Sequence, residues 1–147
     1  METFPSLLKQ HAIQRSNDTA IRMKRYGIWN SYTWQQMAGE VDLILCALAA
    51  NGIKSGDKIA IIGNNVPELY FSIVAAQGLG AIPVPMHADS TPDELKNLLE
   101  NCEAKIAVLQ DQQQVDAIQQ AITDLPDLAM GVYLDERGLH SYSETQF

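Results

Sequence analysis

Apolar residues along this chain switch repeatedly between a helical spacing and short unbroken runs, and the switches mark out its elements. Residues 4–15 carry Phe4, Leu7, Leu8, His11 and Ala12 at helical spacing with Thr3 placed to cap them, predicting a short amphipathic helix that Ser16-Asn17-Asp18 ends. Residues 20–25 and 28–32 flank Tyr26-Gly27 and predict an antiparallel hairpin. Thr33, with Gln36 three residues on, has the form of a capping box. It opens the longest helix, whose buried stripe is Trp34, Met37, Ala38, Val41, Leu45 and Leu48 and which Asn51-Gly52 closes.

Beyond that helix the pattern becomes one of buried strands alternating with helices. A Lys54-Ser55-Gly56-Asp57 turn launches the apolar run 58–62, which suits a strand covered on both faces. Pro67 starts a helix that continues through 69–77, with Ala75 and Ala76 small enough for close packing, and Gly78 and Gly80 end it before a strand at 81–84. An irregular loop over 85–90 leads to a Thr91-capped helix from Pro92 to about Asn101, with Asp93 and Glu94 at its positive end. A strand at 105–109, a helix from Gln112 to about Ala121 and a strand at 130–134 complete the series. The fold class is therefore α/β, a mainly parallel sheet flanked by helices and joined by right-handed crossovers, with an N-terminal antiparallel hairpin. No repeat or linker divides residues 1–147, which read as one domain-sized unit. The polar tail 135–147 completes no element and reads as the edge of a truncation.

Composition narrows the partners. At 147 residues and 46% hydrophobic, the chain is large enough to bury a core without disulfides or metals. A net charge of −8 disfavours nucleic acid and anionic membranes, and the one basic cluster, Arg22, Lys24 and Arg25, reads as a solvated strand end. Cys46 and Cys102 belong to no metal-ligand pattern and are expected as buried, reduced thiols. His11, His87 and His140 stand apart, so no metal site is expected. The N-terminus lacks the build of a signal peptide, and nowhere do about 18 apolar residues run together. A cytoplasmic setting is the expectation.

Two loops stand where open α/β sheets bind ligands, after a strand and before a helix. In Gly63-Asn64-Asn65-Val66-Pro67-Glu68, either Asn64 or Asn65 caps the helix that Pro67 begins, with Glu68 complementing its dipole, or the loop faces a ligand. His87-Ala88-Asp89-Ser90 offers the same choice. Gly78-Leu79-Gly80 follows a helix and precedes a strand, the reverse of a dinucleotide fingerprint, and is read as a helix terminator. The chain contains neither a phosphate-binding G-x-x-x-x-G-K-[ST] loop nor a G-x-S-x-G elbow, so no catalytic residue is assigned.

Gly27-Ile28-Trp29, Tyr32-Thr33-Trp34, the stretch 51–61 (NGIKSGDKIAI), Asn65-Val66-Pro67-Glu68, Gly80-Ala81-Ile82-Pro83-Val84-Pro85 and Asp111-Gln112-Gln113-Gln114 occur in an order and spacing that resemble the front of long-chain fatty acyl-CoA synthetases, within the AMP-binding, adenylate-forming superfamily. The resemblance implies the N-terminal part of the synthetase large domain. The parent would be an acid–thiol ligase that uses ATP, Mg²⁺ and coenzyme A to activate a fatty acid through an acyl-adenylate, in the cytoplasm or peripherally at a membrane. Leu69, where that branch often carries tryptophan, leaves the acyl length open. The family's Ser/Thr/Gly-rich phosphate loop and later catalytic lysine have no counterpart here, so the 147-residue chain alone is expected to be inactive and to bind none of these cofactors tightly. It is also expected to self-associate, because a parallel sheet built from runs such as 59–62 normally has neighbours supplied by later sequence. By resemblance, His87, Ala88 and Asp89 fall on a loop that faces coenzyme A. The alternative is a stand-alone, non-catalytic α/β binding module.

Overall fold

The computed structural model describes residues 2–121, 128–135, 137 and 139. Helix α1 (Phe4–Gln14) precedes a two-stranded antiparallel sheet, β1 (Thr19–Arg25) and β2 (Ile28–Thr33), and α2 (Trp34–Ala50) follows. Then β3 (Lys58–Gly63), α3 (Pro67–Gly78), β4 (Ile82–His87), α4 (Pro92–Cys102), β5 (Ala104–Leu109), α5 (Gln112–Ala121) and β6 (Met130–Tyr133) alternate. The four later strands form a parallel sheet in the order β4-β3-β5-β6. This is the α/β architecture with an N-terminal hairpin that the sequence predicts.

Local chemistry explains where the elements begin and turn. Thr3, Thr33 and Thr91 each accept a hydrogen bond from the backbone N–H three residues on. Ser6, Gln36 and Glu94 reach back to complete the box at α1, α2 and α4, each cap contributing about 1 kcal/mol. In the hairpin, Tyr26 and Gly27 take φ of 51° and 80°, the positive angles that a tight two-residue turn demands. Tyr26 tolerates this while largely exposed, with the Arg25 guanidinium 5.5 Å from its ring centroid and its hydroxyl accepting from Arg137 Nη1 at 3.4 Å.

The central strand is covered on both faces, as its apolar run predicts: Ile59, Ala60, Ile61 and Ile62 are 0–2% exposed. Alternation sorts them. Ile59, Ile61, Ile106 and Val108 face Leu48, Phe71, Ala75 and Ala76 of α2 and α3. Ala60, Ile62, Ala107 and Leu109 face Leu95, Leu99, Val115 and Ile118 of α4 and α5. Each large side chain buried this way stabilises the fold by about 1.5–3 kcal/mol.

Four expectations change. Strand β4 runs on to His87, so Pro85, Met86 and His87 belong to the sheet rather than to an irregular loop. The prolines fit because β4 is an edge strand: the Ile82 N–H points inward to the Asp57 carbonyl (2.7 Å), so the nitrogens of Pro83 and Pro85 point outward, where no ladder donor is lost. The same prolines blunt that edge against pairing with another chain. Cys46 is exposed because it lies off the buried stripe of α2, while Cys102 is half-buried and its thiol is pushed up by that burial. Phe4 is largely exposed and Leu8 alone is buried in α1. Neither Asn64 nor Asn65 caps α3, whose cap residue is Val66 with no side-chain bond. Most of the tail 135–147, including His140, lies outside the described residues.

Candidate functional site at the carboxyl end of the sheet

From β3 the chain leaves through α3 on one face of the sheet, and from the adjacent β5 it leaves through α5 on the other. In open α/β folds that divergence opens a crevice where ligands bind. Here the crevice is bridged. Gln110, just past β5, turns its Oε1 toward β3 and accepts the Asn64 N–H at 2.6 Å. Gly63 makes room for it: a Cβ there would lie 2.7 Å from Leu69 Cδ1, 2.8 Å from Gln110 Cβ and 2.9 Å from Gln110 Oε1. Asn64 thus acts through its backbone, while Asn65 Oδ1 accepts from the Tyr70 hydroxyl at 3.4 Å.

A second set of amide bonds extends from the same edge. At the start of α5 the Asp111 carboxylate accepts the Gln113 N–H at 3.0 Å, and the Gln114 Oε1 accepts the Asp111 N–H at 3.0 Å. Gln114 is 2% exposed, and its Nε2 donates to the Ala88 carbonyl at 3.3 Å. The loops after β3, β4 and β5 are therefore tied together by glutamine side chains. In the sequence the run Asp111-Gln112-Gln113-Gln114 stands out only through the family resemblance, and nothing local marks it as part of the site.

Around the bridge lie two open cavities. One, of about 430 Å³, is lined by Gly63, Asn64, Asn65, Tyr70, Met86 and His87 among others. The other, about 580 Å³, lies between Ala88–Pro92 and the outer face of α5, with Asp89, Gln113, Asp116 and Gln120 on its wall. The three residues expected to face a coenzyme are thus divided. His87 is exposed at the end of β4 and belongs to the first cavity, whereas Ala88 and Asp89 line the second. Ala88 is only 8% exposed, leaving His87 and Asp89 as the outward side chains. A third, mainly apolar cavity of about 520 Å³ lies between α1, β1, α2 and α3 and shares Tyr70 and Ile73 with the first.

Charge gathers elsewhere. At the opposite end of the sheet Lys105 meets Asp57 at 2.7 Å and Lys58 meets Glu103 at 2.8 Å. The hydrogen bond from Lys105 holds the Asp57 carboxyl below the usual carboxylate range. None of the three cavities is lined by lysine or arginine. Among the described residues no three His, Cys, Asp or Glu side chains stand together to hold a metal ion. These walls therefore do not supply the positive charge that a triphosphate with its Mg²⁺ requires, and no chemical step is assigned to them. No helix among the described residues is long and apolar enough to cross a membrane.

A doubly wound parallel sheet with an appended hairpin is the fold at the front of the acid–CoA ligases. Coronafacic acid ligase from Pectobacterium brasiliense superposes with a TM-score of 0.82 at 22% identity, over 93% of this chain and 26% of that one. The family follows from the sequence match: residues 8–146 fit the AMP-binding enzyme family, and the chain belongs to it. A long-chain-fatty-acid–CoA ligase of Rattus norvegicus is 27% identical over 82% of this chain and 17% of its own length. An indoleacetate–CoA ligase of Aromatoleum aromaticum is 28% identical over 80% and 23%. The chain thus spans about a fifth of the length of these relatives.

Proposed function

We propose that this chain is the N-terminal part of an ATP-dependent acid–CoA ligase, one that forms an acyl-adenylate and passes the acyl group to coenzyme A. The family match over residues 8–146 carries this reading. Within such an enzyme the sheet is scaffold, and its carboxyl edge is one wall of the substrate and coenzyme cleft. ATP and Mg²⁺ are then held by residues outside the three cavities described, and the enzyme works in the cytoplasm or peripherally at a membrane.

A long-chain fatty acid is the substrate we favour, on the Gly27-Ile28-Trp29 turn, Tyr32-Thr33-Trp34 and Asp111-Gln112-Gln113-Gln114, and on the rat relative. The indoleacetate ligase is about as similar and supports an aryl acid as second reading. Pyrophosphate release by the intact enzyme with palmitate, acetate and indoleacetate tests both. Preference for palmitate is the expected result, preference for indoleacetate would exchange the two readings, and turnover of no acid would favour a non-catalytic binding module.

His87, Ala88 and Asp89 are proposed to border the coenzyme entrance. Because Ala88 is buried, a bulky residue there would test packing rather than contact, and Asp89 is the position to change. Asp89→Lys replaces a charge that repels phosphate with one that attracts it. The KM for coenzyme A should fall while adenylate formation stays unchanged, since only the second step uses the loop. Equal changes in both half-reactions would remove the loop from the coenzyme path.

A further inference from the structure

Gln114 has a burial and a set of partners that a plain helix cap does not need. Residues at the third position of a helix are ordinarily solvated, and the capping boxes of α1, α2 and α4 use exposed side chains at Ser6, Gln36 and Glu94. Gln114 is instead 2% exposed, seated beside Val115 (1%) and Ile118 (0%) on the buried side of α5. A buried primary amide costs free energy unless both its ends are bonded. Its Oε1 is satisfied by the Asp111 N–H (3.0 Å). Its Nε2 reaches across to a different strand connection, the Ala88 carbonyl (3.3 Å), 26 residues away in sequence.

We propose that Gln114 is a positioning residue for the Ala88–Ser90 loop: it fixes the loop's height above α5 and, through it, the coenzyme entrance. The inference rests on the loop reading above. Among the described residues, few other bonds hold the loop. Beyond the Ser90 N–H donated to the His87 carbonyl at 3.3 Å, which closes the turn on itself, and the Ala88 methyl in the core, its described bond to another element is the one from Gln114. Asp89 projects outward from the turn that this bond anchors. Met has the length of Gln and neither of its polar ends, so Gln114→Met keeps the packing and leaves the Ala88 carbonyl free to move. Leu or Glu would be less clean: the first is branched, and the second buries a charge facing a carbonyl.

The test uses the intact ligase with two variants. Gln114→Met removes the bond, while Val115→Ala loosens the same helix by a cavity and leaves the bond in place. Amide hydrogen exchange across residues 88–91 reads the loop, and the KM for coenzyme A and the rate of adenylate formation read the two half-reactions. For Gln114→Met, exchange in the loop should quicken and the coenzyme KM rise about fivefold to tenfold, with adenylate formation within about twofold of the parent. Val115→Ala should lower stability without either change. If loop exchange is unmoved by Gln114→Met, or moves equally in both variants, Gln114 does not position the loop and the proposal falls. If the loop loosens while the coenzyme KM stays fixed, the loop reading is what fails, and the link from Gln114 to the coenzyme falls with it.

Discussion

Gly63→Ala adds one methyl at the most crowded point of the candidate site. Its Cβ would stand 2.7 Å from Leu69 Cδ1, a flexible tip that can yield, but also 2.8 Å from Gln110 Cβ, which moves only with the backbone of the chain leaving β5. It would stand 2.9 Å from Gln110 Oε1, the atom that accepts the Asn64 N–H. Overpacking of this kind costs about 1–3 kcal/mol, and displacing the amide forfeits about 1 kcal/mol more. The expected loss is therefore about 2–4 kcal/mol. With a urea dependence of about 2 kcal/mol per molar, the unfolding midpoint should drop by about 1–2 M with its slope unchanged. A double-mutant cycle isolates the cause, because Gln110→Gly removes both Gln110 contacts. In that background Gly63→Ala should cost at least about 1 kcal/mol less. A single-mutant loss under about 0.5 kcal/mol, or an equal loss in both backgrounds, would refute the claim that Gly63 is kept small by Gln110.

Leu95→Ala, at a side chain 1% exposed between α4 and the sheet, should lower stability by about 2–5 kcal/mol in the same assay, whereas Leu98→Ala, 44% exposed one turn on, should change it by under about 0.5 kcal/mol. Asp135, beside Arg137 and Arg25, has its carboxyl pulled down to about 2. The folded form therefore holds its proton less tightly than the unfolded chain, so the contribution is present above about pH 4 and is lost as pH falls toward 2. Asp135→Asn should flatten the difference between stabilities measured at pH 5 and pH 2.5, and a variant with the parent's pH dependence would count against it. The 147-residue chain by itself should give no ATP–pyrophosphate exchange above a boiled control, because its cavities lack cationic side chains. It should also sediment with concentration dependence, pairing through β6 rather than the proline-bearing β4; a monomer at every concentration would contradict this.

The sequence by itself determined the elements, because each was written in local chemistry. Thr33 with Gln36, Tyr26-Gly27 and the run from Lys58 to Ile62 carry their structure within a few residues, and the observed bounds of α2, the hairpin and β3 follow them. Family resemblance added the class of enzyme, through motifs whose order and spacing local physics does not explain. The fourth strand needed context. The sequence ends it at Val84, and only the sheet order shows that β4 lies at an edge, where it runs on to His87 with the nitrogens of Pro83 and Pro85 turned outward. The asparagines after β3 look like caps by type, yet the cap residue of α3 is Val66, which makes no side-chain bond, while the Asn64 N–H goes to a glutamine 46 residues away and Asn65 Oδ1 accepts from the Tyr70 hydroxyl. The candidate site was legible as two loops, each after a strand and before a helix. What joins those loops was not, because Gln110 and Gln114 are unremarkable polar residues until parallel pairing brings the ends of β3, β4 and β5 side by side. Partner choice for a side-chain amide is set by which backbone groups come within about 3 Å in space, and that distance exists only once the sheet has formed.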